Sequence, residues 1–174
     1  MRALVFVLAV SCGSASPSPP AVSPRTPGAP LASAREPTHE LIASLERTAC
    51  FGACSIYKVT IYRDGVVEWK GKDFVDTIGP AVGQLRPGQL AQLDNLFRDN
   101  GYLELHDTYQ AGHVTDRPWV HTSYSPSTGT IKRVAHYLGD RTAPPRLLRI
   151  EDGIDQIAVT GRWIGTGGAL SASR

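Results

Sequence analysis

Two cysteines four positions apart and an Asp-x-x-Trp-x-His stretch are where this sequence could do chemistry. Cys50 and Cys54 sit in Thr48-Ala49-Cys50-Phe51-Gly52-Ala53-Cys54-Ser55-Ile56-Tyr57. The spacing is CxxxC and not the CxxC of thioredoxin-like dithiols, and nothing cationic lies inside the loop to stabilise a thiolate. In an oxidising compartment such a pair reads as a disulfide, with Gly52 lending the short loop the backbone freedom to close. On the chain-entropy model a five-residue loop stabilises by about 2 kcal/mol, enough to pin the start of the next strand without deciding whether the domain folds. An active dithiol is the competing reading.

The second group is His113, Asp116, Trp119 and His121. His113, Asp116 and His121, with His106 and Cys50 or Cys54, could gather round a divalent cation, but none shows the i, i+3 or i, i+4 helical spacing of a recognised zinc motif, so neither metal nor cofactor is expected. His121 and Ser123, two apart on a strand and with Asp116 nearby, would suit a hydrolase, yet no Gly-x-Ser-x-Gly elbow exposes the serine. The third reading is a binding surface built from Trp69, Trp119, Tyr109, Tyr124 and Tyr137, with the loop Gln110 to Arg117 as its functional edge. Envelope protein, peptide or glycan would each suit such a surface.

These residues must be positioned by a single domain, read here as 38–164. About 130 residues bury roughly two thirds of their unfolded surface, sufficient for folding alone. From Thr38 onward 15 Lys/Arg balance 15 Asp/Glu, and Lys132-Arg133 is the only adjacent basic pair. Nucleic acid is therefore not an expected partner. Ile56 to Tyr62 is rich in β-branched and aromatic residues, Asp64-Gly65 is a turn signal, and Val66 to Lys70 resumes the pattern: a hairpin. Glu40 to Arg47 reads as a preceding strand, and Phe74 to Leu85 as another, interrupted at Gly79-Pro80. Pro87 opens a helix whose apolar stripe is Leu90, Leu93, Leu96 and Phe97, stopped by Asn100-Gly101. Trp119 to Ser125 and Thr130 to Leu138 form a second hairpin. A second helix starts at Pro144-Pro145, burying Leu147, Leu148, Ile154, Ile157 and Ala158, with Trp163 closing the edge and Gly153 a cost of about 1 kcal/mol. The expectation is an α+β fold, an antiparallel sheet of four to six strands with two helices packed on it.

The amino terminus reads as a targeting segment. Met1-Arg2 is a short positive region, and Ala3 to Val10 is an apolar run of eight residues, far short of the roughly 20 that span a bilayer. Ala9-Val10-Ser11-Cys12-Gly13 resembles the lipobox of bacterial lipoproteins, with Ala9 where Leu is usual. On that reading residues 1–12 are the signal and lipobox, and Cys12 carries the lipid that attaches the protein to the membrane, by resemblance the outer one; the competing reading is an ordinary secretory signal cleaved nearby, with Ser14-Ala15-Ser16 as the cleavage triplet and Cys12 discarded. The segment 13–37 holds seven of the chain's 13 prolines, counting from Ser14, and is expected to be a disordered tether. The small, polar tail 165–174 is expected to be disordered too.

The opening of the domain resembles a family of bacterial exported domains of unknown function, often found on lipoproteins, that begin Arg-Thr-x-Cys-Phe-Gly-x-Cys-Pro-x-Tyr. Arg47, Thr48, Cys50, Phe51, Gly52, Cys54, Tyr57, Asp64, Gly65, Val67 and Gly71 match it, and Ser55 replaces the Pro. The likeness extends more loosely through Asp116, Gly129, His136-Tyr137 and Ile154-Asp155. It implies a cell-envelope location and names no activity. A binding or structural envelope module is the leading expectation, and an enzyme or metal site near Asp116 and His121 the alternative.

Overall fold

The computed structural model describes residues 40–112, 116–126 and 131–165. The expected signal and lipobox with Cys12, the tether at 13–37, His113, Gly129 and all but the first residue of the tail lie outside the described residues.

Among the described residues, seven strands form one sheet. They are β1 (Leu41–Arg47), β2 (Ile56–Tyr62), β3 (Val66–Asp73), β4 (Gly79–Gln84), β5 (Thr108–Tyr109), β6 (Trp119–Tyr124) and β7 (Lys132–Tyr137). Their order across the sheet is β4-β3-β2-β1-β6-β7-β5. Every neighbouring pair is antiparallel except β5 with β7. Both expected hairpins are present as antiparallel pairs, β2 with β3 and β6 with β7. At the first, Gly65 takes φ 82° and the Val66 N–H donates to Asp64 Oδ1 at 3.0 Å, the local chemistry that makes Asp-Gly a hairpin turn. The strand beyond the expected range is β5. Two residues have no periodicity to read, and this strand exists through its pairing with β7.

The helices are α1 (Gln89–Asp99), α2 (Pro145–Ala158) and the single turn α3 (Gly161–Ile164), so one more is present than expected. Pro87 lies outside α1. Gly88, at φ 89°, turns the chain immediately before the helix, and Gln89 Oε1 accepts the Arg86 N–H. Pro145 occupies the first turn of α2, where the missing N–H is harmless. Leu148 faces solvent instead of the core. The buried stripe is Leu147, Ile150, Ile154 and Ala158, and it also carries Glu151 and Asp155. Gly153 is a packing residue as well as a propensity cost: a Cβ there would stand 2.6 Å from Leu96 Cδ2. Glycine is what lets α1 and α2 approach so closely.

All three helices cover one face of the sheet, over Ala43, Leu45, Val59, Ile61, Val67, Val120 and Val134. Trp163 stacks on Trp69, which stacks on Tyr57, with centroids 5.3 and 4.7 Å apart, closing the edge as expected. Phe97 of α1 stacks on Tyr124 of β6 at 4.3 Å. Among the described residues, no helix covers the opposite face.

Candidate functional site

Arg47 ends β1, Tyr57 is the second residue of β2, and both side chains reach under α2 to Asp155. Tyr57 Oη donates to the Asp155 carboxylate at 2.8 Å, Arg47 Nη2 donates at 2.9 Å, and Thr160 Oγ1 donates at 2.8 Å. Arg47 Nε also donates to Tyr57 Oη at 3.0 Å. Burial, then the Asp155 charge, push the Tyr57 hydroxyl well above its ordinary pKa. Burial opposes the Arg47 charge, but Tyr57 and Asp155 more than offset it and raise its pKa. One turn earlier on α2, Glu151 Oε1 meets His136 Nδ1 of β7 at 2.8 Å, with both side chains buried. These groups are engaged with one another beneath the helix and do not face a cleft. They pin α2 to the sheet, as satisfied buried polar networks do.

The Cys50–Cys54 segment lies just beyond that pin. The two sulfurs stand at disulfide distance, with Cα atoms 5.9 Å apart. Gly52 takes φ 140°, a conformation closed to other residues, while a Cβ there would touch nothing, so its backbone alone requires glycine. The loop is tied to the next segment through its backbone. The Phe51 N–H donates to the Asp116 carbonyl at 3.2 Å, the Thr48 N–H to the Trp119 carbonyl at 3.0 Å, and the Trp119 N–H to Thr48 Oγ1 at 2.8 Å. Ser55 Oγ donates to the Phe74 carbonyl at 3.0 Å. Held this way, the Phe51 side chain is 89% exposed.

The connections β1–β2, β3–β4 and β5–β6 all emerge at this end of the sheet, and Phe74 and Ile78 of the β3–β4 connection are exposed there too. Glu40, where the described chain begins, is at the opposite end, its carbonyl accepting the Arg63 N–H. Asp140 steadies the start of the β5–β6 connection. Desolvation opposes its charge, yet bonds from the Thr142 hydroxyl, the Thr142 N–H and the Ala111 N–H hold its pKa below the usual value.

The residues singled out from sequence are partly brought together. Trp119 and His121 share the open face of β6, with rings parallel within 7° and centroids 5.9 Å apart; Tyr137 meets Trp119 at 5.3 Å. Asp116 takes φ 74° on the surface and contributes its carbonyl to the cysteine loop. His106 lies against Tyr109, 5.8 Å between centroids. Among the described residues, no three His, Cys, Asp or Glu side chains converge as a metal site. His121 and Ser123 do share a face, but Ser123 Oγ bonds Ser44 Oγ at 2.6 Å. Of the five aromatics read as a surface, Trp69, Tyr109, Tyr124 and Tyr137 are buried, because each is committed to ring packing or a core position, and only Trp119 is part-exposed.

Sequence reasoning passed over the buried polar network and the exposure of Phe51. For the network a signal existed: Glu151 and Asp155 stand four and eight residues after Leu147, on the apolar stripe of α2. For Phe51 none did, since its solvent position depends on the path of the loop.

Residues 42–158, from within β1 to the last residue of α2, match the family described as a domain of unknown function, DUF6438. None of the curated proteins compared matches the chain.

Proposed function

The chain belongs to the DUF6438 family of domains of unknown function, and we propose that it is an exported binding module, attached to the bacterial envelope through lipid on Cys12. Its contact point is Phe51. The observation that carries this reading is an aromatic side chain 89% exposed on a loop whose ends are joined at Cys50 and Cys54. Isolated exposed apolar residues are ordinary. One on a loop held by a disulfide and by a hydrogen bond to Asp116 loses little entropy on binding, which is the physical requirement for an anchor that fills a partner's pocket.

Phe74 and Ile78 extend the apolar end beside it, and the chain's attachment at Glu40 is on the far side. A protein partner with an apolar pocket suits this end. Binding is favoured over turnover because the buried acids are hydrogen-bonded to fixed partners and the serine nearest His121 is bonded to Ser44.

A photo-crosslinking residue in place of Phe51, compared with one in place of Leu103, tests the reading in the cells that make the protein. Leu103 is also exposed, but in the turn after α1. A discrete protein adduct from position 51 alone is expected, lost when Cys50 and Cys54 are both replaced by Ser. Equal labelling from both positions would remove Phe51 as the contact. For the anchor, Cys12→Ser should release the protein from membranes and abolish incorporation of labelled fatty acid.

A further inference from the structure

The face of the sheet that the helices leave uncovered has a defined pattern, independent of the Phe51 loop. Strand register sets Thr60, Ser44, Ser123 and Arg133 in one row across β2, β1, β6 and β7. The next row holds Lys58, Glu46, His121 and Ala135. Three hydroxyls thus stand side by side, and the long side chains around them leave Ser123 only 6% exposed although it sits on the open face. The result is a trough of about 990 Å³ with a hydroxyl floor. Half-exposed Tyr62, bonded to Glu68 at 2.6 Å, closes one end, and His121 closes the other, with the ring of Trp119 parallel to it just beyond the lining. Rows on one face are two residues apart, about 6.6 Å, so Tyr62 to Trp119, three rows on, spans about 20 Å.

Two acids and two lysines lining the trough are matched within it, and Arg133 is the one further cation among the described lining residues. Glu46 pairs with Lys58 at 3.6 Å and Asp107 pairs with Lys132. A single anionic group could meet Arg133, but a ligand charged on every sugar would have to displace one of these partners. A neutral one that both donates and accepts hydrogen bonds would not. Aromatic rings at the ends, serine hydroxyls on the floor and the forked donor of Arg133 on the rim match the apolar faces and hydroxyl edges of sugar rings.

We propose that this trough is a glycan-binding site for a short run of uncharged sugars, with Trp119 and Tyr62 against ring faces and the Ser44–Ser123 pair and Arg133 on ring hydroxyls. The fit extends to chains of a few sugars and not to single ones, because the two aromatic ends are too far apart for one ring to meet both.

Tryptophan fluorescence reports the site, because Trp69 and Trp163 are buried and Trp119 is part-exposed. The full chain carrying Cys12→Ser is titrated with N-acetylglucosamine oligomers, neutral glucans and mannans, and uronic-acid oligomers of matching length. A saturable change with at least one neutral series is expected. It should weaken at least tenfold in Arg133→Ala, and binding read by calorimetry should weaken at least tenfold in Trp119→Ala, each at an unfolding midpoint near that of the parent, while Phe51→Ser leaves it intact. No saturable signal from any neutral series at millimolar sugar overturns the proposal, as does equal or tighter binding of the uronic acids. Loss of binding in Phe51→Ser would move the site to the loop end and also overturn it; a failed crosslink at position 51 would leave it standing.

Discussion

Replacing Asp155 by Ala should be among the most damaging single changes in the domain. Its carboxylate receives hydrogen bonds from Tyr57, Arg47 and Thr160, and its side chain is 7% exposed. Removing one partner of a buried ion pair costs about 3–5 kcal/mol. The Arg47 side chain is 15% exposed and can turn part of its guanidinium to water, which favours the lower half of that range. The Tyr57 hydroxyl cannot, and an orphaned buried donor costs about 1–3 kcal/mol, some of it already counted in the pair. A loss of about 3–4 kcal/mol follows, a large share of the roughly 5–15 kcal/mol a domain has. Urea unfolding followed by tryptophan fluorescence reads it as a lower midpoint at unchanged slope. Tyr57→Phe, which keeps the Arg47–Asp155 pair, should cost only about 1 kcal/mol. The triple variant Arg47→Met, Tyr57→Phe, Asp155→Leu leaves no orphaned group and should recover most of the loss. If Asp155→Ala costs under about 1 kcal/mol, or the triple variant is no more stable than Asp155→Ala, the network is not the pin described here.

Val159 ends α2 at φ 53°, a left-handed conformation that a β-branched residue resists, and its side chain is half exposed. Val159→Gly should therefore stabilise the domain by about 0.5–1 kcal/mol in the same urea assay. Replacing Cys50 and Cys54 together by Ser should cost about 2 kcal/mol, and the parent should yield no free thiol from the pair in denaturant. At high pH the neutral phenol is the folded form of four tyrosines. Burial raises Tyr57 and Tyr102 above their ordinary range, burial and then the Asp94 bond take Tyr124 up to about 12, and the Glu68 bond takes Tyr62 to about 12. Since their folded pKa values exceed the unfolded value of about 10, this stability is whole below pH 10 and drains as pH climbs through 12 and beyond. Phenolate absorbance in single Tyr→Phe variants, alongside circular dichroism, checks it; ionisation of Tyr57 near pH 10 in folded protein would contradict it.

The strands that alternate were legible: Ile56–Tyr62 and Val66–Asp73 announce themselves by β-branched spacing around Asp64-Gly65. β5 was not, because it follows from an edge vacancy beside β7 and not from its own residues. The start of α1 was misplaced by reading Pro87 as the first turn when Gly88 supplies the bend. Gly153 was legible only as a penalty, because its benefit is a contact with Leu96 on a different helix. At the candidate site, the closeness of Trp119 to His121 follows from strand period alone. The link from Asp116 to the cysteine loop is a backbone hydrogen bond between β1–β2 and β5–β6 connections, and side-chain types carry no record of it.

The position of β1 at the middle of the sheet sets a timetable for folding. Made first, it can zip with β2, β3 and β4 through sequential hairpins, all contacts of short range. Its other edge waits for β6, whose Ser123 is 79 residues beyond Ser44. Closing so long a loop is slow compared with hairpin formation. For a chain that emerges N-terminus first, a four-stranded half-sheet precedes the rest, with the backbone groups of β1 open along one side and its apolar face not yet capped by α2. An unpaired edge of that kind is the feature through which sheets associate, and docking β6 against β1 removes it from β1.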